Sequence, residues 1–456
     1  MGNSDIEKSF NLERAAKHLA DAIRIKTVSY TDYEKMDFKL FDEFLLFLEK
    51  TYPNINRVCK KELVNGYCSV YIWESGNKDD KPILLLGHYD VVPVEKASEA
   101  DWEEDPFLGV IKDDYIWGRG ALDDKNQVIA VMEAVEHLID NDYKPKRDIY
   151  MVFGFDEEIG GIRGAEEAAK VFKERNISFE CVIDEGGCVI TDMMEGLSVP
   201  AAIIGIAEKG ATAVKITVEG QGGHSSMPPK STAIGRIAKI ISNVERNPMP
   251  ARLIMPVSQM FKTMAPYMAN NKLVLKNIDH LFPIIKSILA KSPTTNAMIR
   301  TTIAFTMTGG GDAHNVLPQR AWAIANLRIL QGDSVDKTIE HIKKVNQGID
   351  FQIEKMQVEE PSQISSIDSE PYQIINNIIN EIYPEAIIVP YLMVGGTDSR
   401  KYIELCKNIY RFSAVILTKE HYSTIHSTNE RISKANFSNM ISFYISFLLR
   451  YLEDSL

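Results

Sequence analysis

Apolar side chains alternate between two periodicities over the first 200 residues of the chain. In Leu12–Arg24 apolar residues recur at helical spacing, which predicts a helix. Residues 83–86 are continuously apolar, which predicts a strand buried on both faces. Further helical patterns lie at 40–52, 127–140 and 165–175, and further strand patterns at Cys68–Trp73, 149–155 and 181–183. Strands that alternate with helices predict an α/β fold in which helices sandwich a mixed, mostly parallel sheet.

The pattern changes near residue 207 and predicts a smaller unit with an antiparallel sheet covered by helices. Its strand patterns lie at 213–219, 300–308 and Arg320–Ile329, and its helical patterns at 233–244 and 335–346. The first kind of pattern resumes after about residue 358, at 371–383, 386–391 and 437–452. We therefore predict a catalytic domain in two parts, residues 1–207 and 359–456, interrupted by an α+β domain at 208–358.

Composition narrows the class of protein. A chain of 456 residues is long enough for two domains, and a net charge of −12 argues against a surface for nucleic acid. The sequence has no apolar run of membrane-spanning length and no basic amphipathic helix of note, so we expect no membrane partner. Five cysteines without a CxxC pair are typical of reduced thiols, and together with the lack of a targeting segment they predict a cytoplasmic protein.

Metal-type ligands follow the predicted strands at five places. These are His88 with Asp90, Asp123 in a glycine-rich turn, the pair Glu157–Glu158, the pair Asp184–Glu185, and His426 in a late loop. Open α/β sheets place their sites at the carboxyl ends of strands, so these side chains can converge. Each cluster alone is also explained without any metal, for example as a surface turn or as the solvated start of a helix. Taken together, imidazole and carboxylate groups predict a two-metal centre suited to zinc.

The order of motifs along the chain adds a resemblance. From about residue 80 to 430 the chain carries GHYDVVP, GRGALDDKN, DEEIGG, DEGG, GQGGHSSMPP, HNVLP, GGTDSR and IHSTNE. This series resembles the metallopeptidase family of aminoacylase, carboxypeptidase S, glutamate carboxypeptidase and succinyl-diaminopimelate desuccinylase. It is most similar to the carboxypeptidase S and N-fatty-acyl-amino-acid hydrolase branch. The resemblance implies a zinc-exopeptidase-like fold in which the insert serves as a lid or dimerisation domain, with hinges near 206–210 and 358–362.

The resemblance also implies roles for the metal-type residues. Asp123 would bridge two zinc ions, for which cobalt or manganese could substitute. His88 and an acidic residue at 184 or 185 would hold one ion, and we favour Asp184 over Glu185. Glu158 and His426 would hold the other ion. Glu157 would be the general base, and Asp90 would orient His88 through its second ring nitrogen.

Further roles implied by the resemblance fall on the insert and on the GGTDSR loop. His224 would reach the active site of a partner subunit and stabilise the oxyanion, which makes a homodimer through the insert possible. Asn315 and Arg328 would bind the free carboxylate of the substrate. Thr397 and Arg400 would line the same pocket, although this loop could also be a simple surface turn.

The expected reaction is hydrolysis of an amide or peptide bond next to a free carboxylate, in an N-acyl amino acid or a small peptide. A dipeptidase or tripeptidase of the same family is the alternative, and an inactive dimeric scaffold is an alternative of a different class. The Met-rich stretch 248–293 in the predicted lid mildly favours a substrate with an apolar acyl group, but ordinary packing of helices explains the methionines at least as well.

Overall fold

A computed structural model describes residues 9–453 of the chain. Its helices are α1 (Leu12–Arg24), α2 (Phe38–Thr51), α3 (Pro53–Val58), α4 (Lys125–Asp140), α5 (Ala165–Glu174), α6 (Ala233–Arg246), α7 (Met255–Met264), α8 (Lys272–Lys276), α9 (Ile278–Leu289), α10 (Pro293–Ile299), α11 (Val335–Val345), α12 (Glu370–Ile382), α13 (Lys419–Tyr422) and α14 (Lys434–Leu449). No helix in this described range combines the length and the apolar character needed to cross a membrane.

The strands belong to one large sheet, one smaller sheet and three short ribbons. They are β1 (Lys60–Val64), β2 (Cys68–Trp73), β3 (Ile83–His88), β4 (Val110–Lys112), β5 (Tyr115–Trp117), β6 (Lys144–Pro145), β7 (Ile149–Gly154), β8 (Cys181–Asp184), β9 (Val189–Ile190), β10 (Ala201–Glu208), β11 (Gly210–Glu219), β12 (Gly223–His224), β13 (Thr302–Gly309), β14 (Val316–Leu317), β15 (Arg320–Ile329), β16 (Gln352–Glu359), β17 (Ile387–Met393), β18 (Ile409–Arg411), β19 (Ile416–Leu417), β20 (Arg431–Ser433) and β21 (Leu452–Glu453).

The large sheet is mixed and has the order β1-β2-β7-β3-β8-β18-β10-β9-β19, with β17 paired to β10. Its centre, β7-β3-β8-β18, is parallel throughout. Every residue of β3 and β7 is buried, which explains why their sequences are apolar without alternation. The predicted α/β class with a mixed, mostly parallel sheet between helices is therefore confirmed.

Helix α1 illustrates how the sequence fixes a local element. Asn11 caps it by accepting the backbone N–H of Arg14 at 3.0 Å, and its apolar stripe, which includes Leu19 and Ile23, is fully buried. Helices α4 and α14 pack against each other and are buried on most of their surface. Helix α4 in turn packs on β3, the strand that ends at His88.

The smaller sheet has the antiparallel order β13-β15-β11-β16. Buried and half-buried residues alternate along β11 and β15, and α6 and α11 cover the buried face, so this sheet has a core of its own. The chain passes between the two sheets at Lys209 and returns after Glu359. These crossings lie beside the boundaries predicted at 207/208 and 358/359, while the independence of the two units stays a prediction.

The stretch 248–293 is helical, but it does not pack where the sequence suggested. Val257, Met260 and Met264 of α7 belong to the core of the large domain, where α7 lies against β17. Helical periodicity reveals that one side of a helix is buried and carries no information about the partner. The Met-rich side chains of α7 thus support the large sheet instead of forming a lid.

Candidate metal centre

Three parallel strands end at one edge of the large sheet and bring candidate side chains together there. His88 is the last residue of β3, and Asp184 is the last residue of β8. Glu157 and Glu158 begin a short 3₁₀ turn that follows β7. Because parallel neighbours end on the same side of a sheet, residues far apart in sequence meet at this edge.

His88 is buried, and its two ring nitrogens face different partners. Nδ1 lies 3.0 Å from the backbone oxygen of Asp90, and because a carbonyl oxygen only accepts, Nδ1 carries the proton. Nε2 faces Asp123 Oδ1 at 3.1 Å and Glu185 Oε1 at 3.5 Å. Burial disfavours the charged imidazole, but the carboxylates of Asp123, Asp90 and Glu185 outweigh it and raise the pKa of His88 well above its ordinary value. The carboxylate of Asp90 accepts the backbone N–H of Glu157 at 3.1 Å, so Asp90 orients both neighbouring segments.

Asp123 lies between two histidines. Its Oδ1 faces His88, and its Oδ2 lies 2.9 Å from Nε2 of His426. His426 Nε2 is also 3.2 Å from Glu158 Oε1, and these two carboxylates raise the pKa of the imidazole to about 10. Asp123 is thus the residue shared by the His88 side and the His426 side of the cluster.

The adjacent acids Asp184 and Glu185 have different surroundings. Asp184 is buried, and its Oδ2 accepts the backbone N–H of Ser399 at 2.8 Å. Glu185 points its Oε1 towards His88. The motif resemblance favours Asp184 as a ligand, whereas this geometry favours Glu185, because the carboxylate of Asp184 is held by the loop that contains Ser399.

The electrostatics of the cluster fit a bound cation. Burial raises the pKa of Glu185 to about 8, and the negative charge of Asp123 acts in the same direction. Burial also raises the pKa of Glu157 well above its ordinary value. Glu158 Oε1 is buried and takes part in no hydrogen bond, despite the nearby imidazole of His426. A divalent cation would stabilise these charged carboxylates and satisfy that oxygen.

The donor atoms form two overlapping groups within which all atoms lie less than 4.8 Å apart. One group is His88, Asp124 and Glu185, and the other is His88, Asp123 and Glu158. Mixed imidazole and carboxylate donors suit zinc, and cobalt or manganese after it. Asp124 is not among the ligands that the sequence predicts, and its Oδ2 accepts the backbone N–H of His88 at 3.3 Å.

A buried ion pair holds the loop that carries Asp123. Glu430 Oε1 accepts the backbone N–H groups of Gly120 and Leu122, both at 2.9 Å, and that of Asp123 at 3.3 Å. Its other oxygen lies 2.5 Å from Nη1 of Arg119. Glu430 ends the IHSTNE motif, but its role is not predicted from the sequence, because nothing local links it to a turn 310 residues away.

A cavity of about 330 Å³ opens beside the cluster and extends between the two sheets. Glu157, Glu158 and His426 line it together with Arg328 of β15, a strand of the smaller sheet. The remaining lining residues include Gly396, Thr397, Arg400, Lys401 and Glu359. No residue of the stretch 248–293 lines this cavity. The Met-rich helices therefore do not support the expectation of a substrate with an apolar acyl group.

The cations of this cavity differ in whether they have partners. Arg400 pairs with Glu359, lies 3.5 Å from Glu208 through Nε, and donates to the backbone oxygen of Lys209. Arg328 is half-buried and has no hydrogen bond or ion pair within residues 9–453, and burial lowers its pKa. Arg400 is therefore already neutralised by the protein, whereas the guanidinium of Arg328 is available to a ligand.

Thr397, the other candidate in the GGTDSR loop, belongs to the same network as Arg400. Its hydroxyl donates to Glu208 Oε1 at 2.9 Å and lies 2.7 Å from the hydroxyl of Ser399. Thr397 is buried, and its polar atom is directed at these protein groups. The geometry indicates that Thr397 supports the cavity wall, and it does not favour a direct contact with substrate.

His224 and Asn315 lie together on the exposed ribbon formed by β12 and β14. The backbone N–H of Ser225 donates to the backbone oxygen of Asn315 at 3.2 Å, and that of Ser226 donates to His224 Nδ1 at 3.2 Å. Neither His224 nor Asn315 is among the residues that line the cavity. Within this one chain, the ribbon is thus separate from the candidate metal centre.

Comparisons with known proteins agree with this architecture. The model of peptidase family M20/M25/M40 matches residues 84–450. The chain is 36% identical to probable carboxypeptidase S-like 2 of Dictyostelium discoideum over 440 residues, which cover 94% of this chain and 83% of that protein. It is 34% identical to N-fatty-acyl-amino acid synthase/hydrolase PM20D1 of Xenopus tropicalis over 435 residues, which cover 94% of this chain and 84% of that protein.

A solved structure gives an independent likeness of fold. The M20 family metallo-carboxypeptidase Sso-CP2 of Sulfolobus solfataricus superimposes with a TM-score of 0.70 at 20% sequence identity. The superposition covers 96% of this chain and 99% of that one. At this identity the likeness supports the two-sheet architecture, and the residues of the centre are argued from this chain's own geometry.

Proposed function

This chain belongs to peptidase family M20/M25/M40, and on that premise we propose that it hydrolyses an amide bond next to a free carboxylate. The substrate would be an N-acyl amino acid, or a small peptide from which the enzyme removes the C-terminal residue. The names of its relatives, which include carboxypeptidase S-like proteins and N-fatty-acyl-amino acid synthase/hydrolases, support this class of reaction.

One observation carries the proposal: the guanidinium of Arg328 is half-buried, has no protein partner in the described range, and shares a cavity with Glu157 and His426. A guanidinium fork matches a carboxylate with two parallel hydrogen bonds. Arg328 would therefore hold the free carboxylate of the substrate and orient the neighbouring amide towards the donor cluster. We propose that Arg400 and Thr397 shape the wall of this pocket, because protein groups already occupy their polar atoms.

We further propose that the donor cluster holds two divalent ions, zinc in the first instance and cobalt or manganese as substitutes. His88 and Glu185 would hold one ion, Glu158 and His426 the other, and Asp123 both. Asp124 would support the first group through its contact with the backbone of His88. Bound divalent ions supply a Lewis acid for the amide carbonyl and lower the pKa of a water molecule.

Glu157 would move the proton in this reaction. Its carboxylate faces the cavity and lies 3.8 Å, through Oε2, from His88 Nε2. From this position Glu157 would accept the proton of the attacking water at a carboxylate oxygen and return it to the leaving amine nitrogen. The hydrogen bond from its backbone N–H to Asp90 fixes the turn that presents the carboxylate.

His224 and Asn315 would act on a partner subunit. Both are exposed on a ribbon of the smaller domain, away from the cavity of their own chain. We propose a homodimer in which the ribbon of one subunit completes the centre of the other. His224 would stabilise the developing oxyanion, and Asn315 would contact the substrate. This proposal gives a reason for two polar residues on a ribbon that lacks a site of its own.

The test compares substrates with and without the free carboxylate. We expect the wild type to prefer an N-acyl amino acid over its carboxamide by about 10²-fold in kcat/KM, since charge-assisted bidentate bonds are the strong ones. Arg328→Ala should lose about the same factor on the acid and little on the carboxamide. Arg320→Ala is a matched control, because Arg320 lies on the same strand and is exposed to solvent.

Three outcomes of this test would count against the proposal. An Arg328→Ala variant that still discriminates between acid and carboxamide would remove the carboxylate role from Arg328. Protein that contains no divalent metal and stays inactive after addition of zinc, cobalt or manganese would favour the inactive scaffold. A panel in which only dipeptides or tripeptides react would replace the acylase and carboxypeptidase assignments with the dipeptidase alternative.

A further inference from the structure

Helices α8 and α9 display apolar side chains that the fold does not bury. Leu273, Ile284 and Ile288 are 75%, 74% and 65% exposed, and we call these three residues the apolar ridge. Ile284 and Ile288 are four residues apart and so lie on one side of α9. Of the 12 residues of α9, only Ile278 is buried. An apolar helix of this length is thus largely at the surface.

The inner side of α9 is nevertheless well attached. Ile278 is fully buried in the core of the large domain, and Phe282, Ile285 and Leu289 pack against that core. Ile284 and Ile288, the part of the apolar ridge that lies on α9, are therefore presented by a helix with a fixed position. The three large aliphatic side chains of the apolar ridge contribute little buried area to the monomer, so the ridge is available to a partner.

Exposed lysines are interspersed with the residues of the apolar ridge along the chain. Residues 272–291 contain four lysines, Lys272, Lys276, Lys286 and Lys291, and one acidic residue, Asp279. All four lysines are exposed and have no ion pair within residues 9–453, whereas Asp279 pairs with Lys262. The whole chain carries a net charge of −12, so this segment is a basic exception on an acidic protein. Such a surface attracts an anionic partner of extended shape.

The chemistry of the segment distinguishes a lipid surface from a protein partner. Residues 272–291 contain no Trp, Tyr or Arg, which dominate the hot spots of protein interfaces. Aliphatic side chains beside flexible lysines are typical of helices that lie in the plane of a membrane interface. Lysines near such a surface are attracted by anionic headgroups, and aliphatic side chains insert at the acyl boundary.

We propose that α8 and α9 dock this protein on the surface of an anionic lipid bilayer. Leu273, Ile284 and Ile288 enter the interface, and the four lysines contact lipid phosphates. This reverses the expectation from sequence that the protein has no membrane partner. The inference rests on the exposed surface alone and is independent of the proposed hydrolase activity.

The experiment is flotation of the full chain with two kinds of vesicle, phosphatidylcholine alone and phosphatidylcholine mixed with phosphatidylglycerol. We expect binding to the anionic vesicles only, with a marked loss at high salt. The double variant Ile284→Ser/Ile288→Ser should lower binding about tenfold, because its ridge has lost most of its apolar area. Lys286→Glu/Lys291→Glu should abolish the preference for anionic lipid.

Matched controls separate docking from folding. Leu63→Ser and Lys96→Glu change an exposed apolar and an exposed basic residue elsewhere, and both should float like the wild type. Unchanged thermal unfolding in every variant would show that the fold is intact. Wild type that stays with the soluble fraction for both vesicle types would overturn the proposal. So would ridge variants that bind normally, or that change the oligomeric mass in place of vesicle binding.

Discussion

The donor cluster at the strand ends and the ribbon that carries His224 differ in how they are held. In the cluster, His88, Asp123 and Asp90 are each fixed by contacts within the same chain, and His88 and Asp90 are fully buried. On the ribbon, His224 and Asn315 are exposed, and the hydrogen bonds described for them are to other residues of the same ribbon and its turn. The cluster is preorganised by one chain, whereas the ribbon lacks the surroundings that would make its histidine useful.

This difference shows that the burial of functional side chains indicates whether one chain forms a site by itself or needs a second chain to enclose it. In the cluster the largely buried carboxylates of Asp123, Glu157, Glu158 and Glu185 outnumber the imidazoles of His88 and His426, so the charge balance favours a cation, and the donor atoms are close enough to hold one. A solvated histidine needs a surface that excludes water, which the ribbon cannot supply for itself. Substitutions in the cluster should therefore act within one subunit, and substitutions on the ribbon should act between subunits.

The largest effect is expected from Glu157→Gln. Loss of the proton carrier should lower kcat about 10³-fold, within the usual range for a general base, while metal content is unchanged. Elemental analysis and steady-state kinetics on one preparation give both values. Glu167→Gln, an exposed acid on α5, is the control and should behave like the wild type. An active Glu157→Gln enzyme would remove Glu157 from the chemistry.

His224→Ala should lower activity about 10²-fold, comparable to the loss of one oxyanion donor. Mixing this variant with Glu157→Gln tests whether the two residues act at one site from different subunits. In a symmetric dimer with random exchange, one site in each hybrid has both residues, so about one quarter of wild-type activity should return. Recovery must require exchange of subunits, which a cross-linked sample prevents. A mixture that stays inactive would place His224 and Glu157 in the same subunit's site, or leave His224 without a role.

A smaller effect is expected from Glu430→Gln, because Glu430 holds the loop of Asp123 without being a donor. Metal affinity should fall about 10- to 100-fold, the usual consequence of losing a group that orients ligands. Activity at saturating metal should change much less. Competition with a metal-binding dye measures the affinity. Glu420→Gln is the matched control, an exposed acid of the same region that pairs with Arg431. Equal metal affinity in both variants would contradict the assigned role of Glu430.

Much of the fold follows from local sequence. The bounds predicted for Leu12–Arg24, Cys68–Trp73 and Arg320–Ile329 agree with the structure to the residue. Strong periodicity and capping decide such elements, because burying a continuous apolar stripe requires one regular conformation. Strands β10 and β18 were not predicted, since short apolar segments of this kind are compatible with more than one element.

The sequence also determined which chemical groups the candidate centre contains. His88, Asp123, Glu157, Glu158 and His426 were selected because they follow strands or motifs, and the structure brings all five together. Parallel strands end at one edge, so a ligand after each strand is sufficient to predict convergence.

Only the tertiary structure decides which of two adjacent acids faces the cluster and which cation of the cavity already has a partner. Successive residues at a strand end point to opposite sides, so only the packed sheet reveals that Glu185 faces His88 while Asp184 faces Ser399. Only the folded chain pairs Arg400 with Glu359 and leaves Arg328 free for a ligand. Local sequence determines secondary structure and the supply of ligands, whereas the partner of each polar group depends on contacts between segments that lie far apart in the sequence, 41 residues for Arg400 and Glu359 and 215 for Asp184 and Ser399.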